Sequence, residues 1–160
     1  MESKHFKIAV LGDAGVGKKT MIRRMITGEF SNEEMSNHKY DVSSNYGNIT
    51  FEFFNAYNIG DPVENMDGAI VMFDVTNSST YLNIMHWIRK VRDKLPFVIC
   101  GNKVDIATRA VEPEHIVLPR KIGAIYFDTS YKSNYNFEKP LLVLARALIP
   151  KPPLIFVPTQ

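Results

Sequence analysis

Among 160 residues there is one cysteine, Cys100, so no disulfide can close within the chain. A lone thiol in an apolar strand reads as a small core residue in a reducing compartment. Long apolar runs are also missing, and no stretch approaches the roughly 20 residues that span a bilayer. No signal sequence opens the chain, residue 2 is Glu2 rather than the glycine that myristoylation needs, and the closing VPTQ offers no prenylatable cysteine. No membrane partner is expected. An excess of one charge is absent too: 19 Lys and Arg face 17 Asp and Glu, a formal net charge of +2. Basic pairs such as Arg23 with Arg24 and Arg120 with Lys121 are dispersed and read as solvated faces, so no nucleic acid partner is expected. His5, His38, His86 and His115 lack ligand spacing, and methionines such as Met21, Met25 and Met72 continue helix or strand periods, so neither set makes a metal site.

What is present fits one globular domain. A chain of 160 residues with 45% hydrophobic and 22% charged content can bury a sheet between two helical layers. Its most informative segment is Gly12 to Thr20, GDAGVGKKT. It follows the β-branched run KIAVL (residues 7 to 11) and precedes KKTMIRRMITGEF, which has helical spacing at Met21, Met25 and Ile26. Strand, glycine loop and helix in that order are the setting of a phosphate-binding loop. The glycines let successive backbone N–H groups converge on phosphate oxygens at a helix N-terminus, and Lys18 reaches forward as a point charge. The contact set read from this loop is Asp13, Ala14, Gly15, Val16, Gly17, Lys18, Lys19 and Thr20. Lys19, however, stands where such a loop needs a hydroxyl to hold magnesium.

A second segment, FVICGNKVDI (97 to 106), runs from a buried strand into Asn102, Lys103 and Asp105. An ionised carboxylate at Asp105 accepts only, so it suits the ring N–H and exocyclic amine of guanine, a donor pair adenine does not present. The stem of Lys103 can lie along the purine face, and the amide of Asn102 can tie this loop to the phosphate loop.

With those residues in place, the chain resembles the Ras-like small GTPases and, within them, the Ran family of nuclear transport GTPases. GNKVDI followed by DTSYKSNYNFEKP (128 to 140), AIVMFDVT (69 to 76), Trp87 and the closing LIxxPxLxFV (148 to 157) carry the likeness, which spans nearly the whole chain. It implies an α/β fold, a doubly wound, mostly parallel sheet with helices on both faces and the nucleotide at the carboxyl ends of the strands. It also implies GTP or GDP as ligand, importin- and exportin-type transport receptors as partners, and a place in nucleus and cytoplasm. By the same resemblance Ser130, Tyr131 and Lys132 form the second base loop, with the backbone N–H of Tyr131 directed to the guanine carbonyl. Its phenol ring, where the family has a small residue, could stack over the base or close the pocket. Phe30 aligns with an aromatic that packs edgewise on guanine, a core aromatic being the alternative. Residues 1–150 read as the nucleotide-binding domain and 151–160 as a Pro-rich tail packed on it.

Strands are expected near 6–11, 49–54, 69–74, 97–101 and 124–127, and helices near 18–27, 78–94, 112–120 and 134–148. Pro150, Pro152 and Pro153 break the last helix.

The departures from the family pattern gather where magnesium and catalytic water should be. Thr20 cannot replace the lost hydroxyl at Lys19, because the next helical residue points about 100° away. Residues 29–48 contain no threonine, with Ser36 the nearest substitute for the family's metal-binding one. Aligning FEFFNAYN with the strand that ends in Asp-x-x-Gly puts Asn55 at the aspartate and Asn58 at the glycine; an alternative register puts Tyr57 at the aspartate. Asp61 or a neighbour must stand in for the glutamine that orients water. Across both switches the chain is roughly a dozen residues shorter than Ran. Phosphoryl transfer depends on positioning and charge neutralisation, to both of which magnesium is central, so hydrolysis is expected to be very slow or absent and magnesium doubtful. The Lys19 ammonium could take the metal's place or simply face solvent. Two further readings stay open: a switching GTPase with a rebuilt metal site, and a nucleotide-free module engaging transport receptors.

Overall fold

The computed structural model describes residues 3–33, 35–56, 60, 62–151 and 153–158. Seven strands, β1 (Lys4–Leu11), β2 (Lys39–Ser44), β3 (Gly47–Asn55), β4 (Gly68–Asp74), β5 (Phe97–Asn102), β6 (Ile125–Asp128) and β7 (Phe156–Val157), form one sheet in the order β6-β5-β4-β1-β3-β2-β7. The β3, β1, β4, β5 and β6 strands run parallel, and β2 and β7 join antiparallel at one edge. Both faces of the parallel part are covered, which is why β4 (GAIVMFD) is buried along its whole length instead of alternating. Helices α1 (Lys18–Thr27) and α5 (Lys139–Leu148) cover one face, where Met21, Met25, Leu141 and Leu144 pack on Ile8, Val10 and Met72. Helices α2 (Ser78–Leu82), α3 (Ile84–Val91) and α4 (Leu118–Ile122) cover the other, with Trp87, Ile88 and Val91 packed on Leu11, Val71 and Phe73. None of the helices among the described residues is long and apolar enough to cross a membrane.

The molecule departs from the expected elements in four places. The helix expected over 78–94 is two helices, because Asn83 interrupts it: its amide side chain bonds to Asp13 instead of lying along a helix face, and the His86 N–H reaches back only three residues to the Asn83 carbonyl. The pattern over 112–120 resolves into a 3₁₀ turn at Pro113–His115 followed by α4, with Pro119 in the first turn of the latter. The last helix starts at Lys139 rather than near 134, since Asn134 and Asn136 adopt left-handed backbone (φ 61° and 53°) in the preceding loop. Strands β2 and β7 were missed. The first is polar at alternate positions and takes shape only by pairing with β3, and β7 is two residues long, pairing with Ser43 and Ser44 while Leu154 just before it is buried.

Strand order turns at β1, which lies between β3 and β4. In such sheets the crevice at the carboxyl ends of the strands receives ligands. Leu11, Asn55, Asp74, Asn102 and Asp128 mark those ends.

Candidate nucleotide site

At the carboxyl ends a cavity of about 690 Å³ opens between the loop after β1 and the loops after β5 and β6, within the usual size of a small-ligand pocket. Ala14, Gly15, Gly17, Lys18, Lys19, Thr20, Phe30, Asn102, Lys103, Asp105, Tyr131 and Lys132 border it, together with Asn32, Asn55 and Ile106. Of the residues singled out from the sequence, Asp13, Val16 and Ser130 are not on its wall, and each has a different task.

The phosphate loop is shaped by glycine. Gly15 and Gly17 have φ of 83° and 105°, left-handed values that side chains rarely accept. A Cβ at Gly17 would collide with the Asn102 amide, and one at Gly12 with the Met72 carbonyl. The close approach at Gly17 allows Asn102 Nδ2 to donate to the Val16 carbonyl at 2.9 Å, so the loop after β5 holds the loop after β1. Val16 itself is a fully buried anchor. A second tie comes from Lys103, whose Nζ donates to the Gly15 carbonyl at 2.7 Å and pairs with Asp74 at 3.0 Å. Lys103 has a left-handed backbone (φ 71°), a strain of the kind that collects at working sites.

Lys18 is buried. Its Nζ donates to the Gly12 carbonyl, to Ala56 O at 3.1 Å and more weakly to Asp13 O at 3.5 Å, and it lies 5.3 Å from the centre of the Trp87 ring. An ammonium so placed lies at the floor of the cavity, where carbonyl dipoles and a ring face replace its water. The Asp13 carboxylate turns away from the cavity and accepts from Trp87 Nε1 at 2.8 Å and Asn83 Nδ2 at 2.9 Å.

At the base end, Ser130 Oγ donates to Asp105 Oδ1 at 2.7 Å, which fixes the exposed carboxylate. Ser130 is fully buried, and its backbone pairs with Tyr135 in both directions. Tyr131 neither stacks over the cavity nor seals it: the side chain is 2% exposed and packs into the α1–α5 core, the largest of the fully buried side chains among the described residues. The space belonging to a small side chain lies beneath the loop, so a larger one grows into the core. Its hydroxyl is buried without a hydrogen-bond partner, and burial pushes the phenol well above its ordinary pKa, as it does the thiol of neighbouring Cys100. Phe30 is 51% exposed on the cavity rim, which discards the core alternative.

Sequence reasoning missed Arg24, Asp74, Asn83 and Trp87 as parts of this site. Arg24, read as a solvated face, bonds to Asn134 Oδ1 at 2.8 Å and to the Lys132 carbonyl at 3.4 Å and so braces the base loop from α1. No local signal could have found it, since the partners are about 110 residues away.

The donors fit a guanine nucleotide. A glycine cradle meets a buried cation at one end, and an anchored carboxylate with a neighbouring backbone N–H meets the base at the other. They do not fit magnesium, which demands near-octahedral oxygen ligands. Among the described residues, Asp105 is the only carboxylate bordering the cavity, and it serves the base end. At the phosphate end stand Lys19 and Thr20, both half-buried, the latter with a hydroxyl, and Asn55, whose buried Oδ1 has no hydrogen-bond partner and offers one neutral oxygen. Ser36 is exposed and off the cavity wall. Tyr57, Asn58 and Asp61 lie outside the described residues.

Fold and site together define a phosphate-loop nucleotide-binding domain whose base loop carries guanine-selective groups. The family model of the Ras family matches residues 7–150, and the chain belongs to that family of small GTP-binding proteins.

Proposed function

We propose that this small GTP-binding protein is a Ran-like member that holds GDP or GTP without metal-dependent turnover and acts through protein contacts linked to nucleocytoplasmic transport. One observation carries this reading: a single cavity has a braced guanine end and a phosphate end where Lys19 and Asn55 replace a hydroxyl and a carboxylate. Phosphoryl transfer needs charge neutralised at the attacking and leaving oxygens. An ammonium at residue 19 supplies one positive charge in place of two, enough to help hold a β-phosphate and too little to organise attack. Likeness in DTSYKSNYNFEKP and the closing LIxxPxLxFV supports the Ran-like branch, and with it importin- or exportin-type receptors, bound with altered affinity because the switch segments differ. Nucleus and cytoplasm follow from the same branch.

The test is the nucleotide content of the purified protein, released by denaturation and resolved chromatographically with and without prior chelator. Stoichiometric guanine nucleotide that survives chelation is expected. Loss on chelation would favour a rebuilt metal site, for which the orphaned Asn55 Oδ1 and the Thr20 hydroxyl, both bordering the cavity, are candidate oxygens among the described residues. A protein that arrives empty and takes up neither GDP nor GTP would leave an interaction module.

A further inference from the structure

We propose that Asp13 is a positioning residue: its carboxylate, held by Trp87 Nε1 and Asn83 Nδ2, ties the phosphate loop to the α2–α3 layer and fixes where the loop presents its N–H groups. The proposal rests on the guanine-nucleotide reading for its role, and on hydrogen bonds within the chain for its existence.

The loop needs such a tie. Gly12, Gly15 and Gly17 all have positive φ, and glycine has the largest conformational freedom to lose on ordering. Asn102 and Lys103 fix its second half, at Val16 and Gly15. Its first half has Asp13. The anchor there is stiff: Trp87 is 4% exposed and packed in the second core beside Leu11, Phe73 and Ile88, so its Nε1–H can neither leave nor find water. A buried indole N–H requires an acceptor, and an ionised carboxylate makes the stronger bond. Both oxygens are used, at 2.8 Å by Trp87 and 2.9 Å by Asn83.

Trp87 also touches the loop a second time, since its ring face lies 5.3 Å from Lys18 Nζ. One rigid side chain thus sets both the loop's first half and the cation at its end. The tie has a second effect. It turns a negative charge, five residues from Lys18, away from the cavity, where it would oppose a phosphate. The break between α2 and α3 at Asn83 supplies the second donor.

The test uses the full chain loaded with GDP carrying a fluorescent ribose label and chased with unlabelled GDP. Asp13→Ala is expected to speed release about tenfold, equivalent to about 1.4 kcal/mol. Asn83→Ala, at an exposed position, should speed it less, and the double variant should be no faster than Asp13→Ala alone. Asp13→Asn keeps an acceptor oxygen for the indole and should recover most of the retention. Additive effects, or Asp13→Asn as fast as Asp13→Ala, would overturn the proposal. A wild-type chain that retains no guanine nucleotide would sink the nucleotide reading instead. The tie is then read from amide hydrogen exchange over residues 12–18, where faster exchange in both Asp13→Ala and Asn83→Ala supports it and unchanged exchange refutes it.

Discussion

The two ends of the nucleotide cavity are built to different standards. At the base end each chemical group has a partner that holds it: Asp105 by Ser130, Asn102 by Val16, Lys103 by Asp74 and Gly15, the Lys132 carbonyl by Arg24. At the phosphate end, among the described residues, stand the Lys19 ammonium, the Thr20 hydroxyl and the Asn55 amide with its orphaned oxygen, while Ser36 is exposed off the wall. If the proposed function holds, the difference teaches that recognition and turnover are separable on this fold. Base selection rests on short loops after β5 and β6 that brace each other, whereas metal chemistry rests on the segments before β2 and after β3. One end can therefore keep its geometry while the other loses its ligands.

The contrast is broken most directly at Asp105. Asp105→Asn replaces one acceptor with a donor opposite the guanine amine, and charge-assisted bonds of about 1.5–3 kcal/mol each are lost. GDP affinity should fall by at least about 100-fold, with preference moving toward a purine that carries a carbonyl at that position; calorimetry with both bases checks it. Asn102→Ala removes the bond to Val16 and leaves a buried carbonyl unpaired. It should weaken GDP about tenfold without changing base preference, which competition by ADP would reveal. Lys19→Thr sharpens the contrast from the other side. It restores a hydroxyl, and GDP retention, expected to be indifferent to chelator in the wild type, should become chelator-sensitive by about threefold or more, since a bound cation then shares the phosphate charge. Unchanged behaviour would count against a role for the Lys19 ammonium.

The smallest effect lies beneath the base loop. Tyr131→Phe removes a buried, unpaired hydroxyl, worth about 1 kcal/mol, and should raise Tm by about 2–4 °C with GDP affinity unchanged, since only the backbone of residue 131 serves the base. The pH profile has a matching sign. Cys100 and Tyr131 are kept neutral in the fold, their pKa values raised by burial from ordinary values of 9.0 and 10.0. Stability should be full below pH 9 and fall as pH climbs past those values, because only the unfolded chain releases the protons. Thermal melts from pH 8 to 11 should show this fall, less steep above pH 10 in Tyr131→Phe.

Much of this was legible along the chain. Strands β1, β3, β4, β5 and β6 showed as apolar or alternating runs because each packs side chains on a core cluster, and the phosphate and base loops showed because glycine, lysine and aspartate at fixed spacing have few other uses. Strand β2 was not legible: KYDVSS has one strong apolar residue and depends on its partner. The direction of Tyr131 was not legible either, because a loop residue's ring goes wherever the core leaves room.

From the sequence alone came the ligand class and the expectation of a poor metal end, since both depend on which groups exist: no rotamer turns Lys19 into a hydroxyl or Asn55 into a carboxylate. Tertiary structure decided who holds whom. Asp13 belongs to Trp87 and Asn83, Arg24 to the base loop and Asp74 to Lys103. Those pairs join residues about 30 to 110 positions apart, and only the sheet order that sets β1 beside β4, and β4 beside β5, brings them within hydrogen-bond reach.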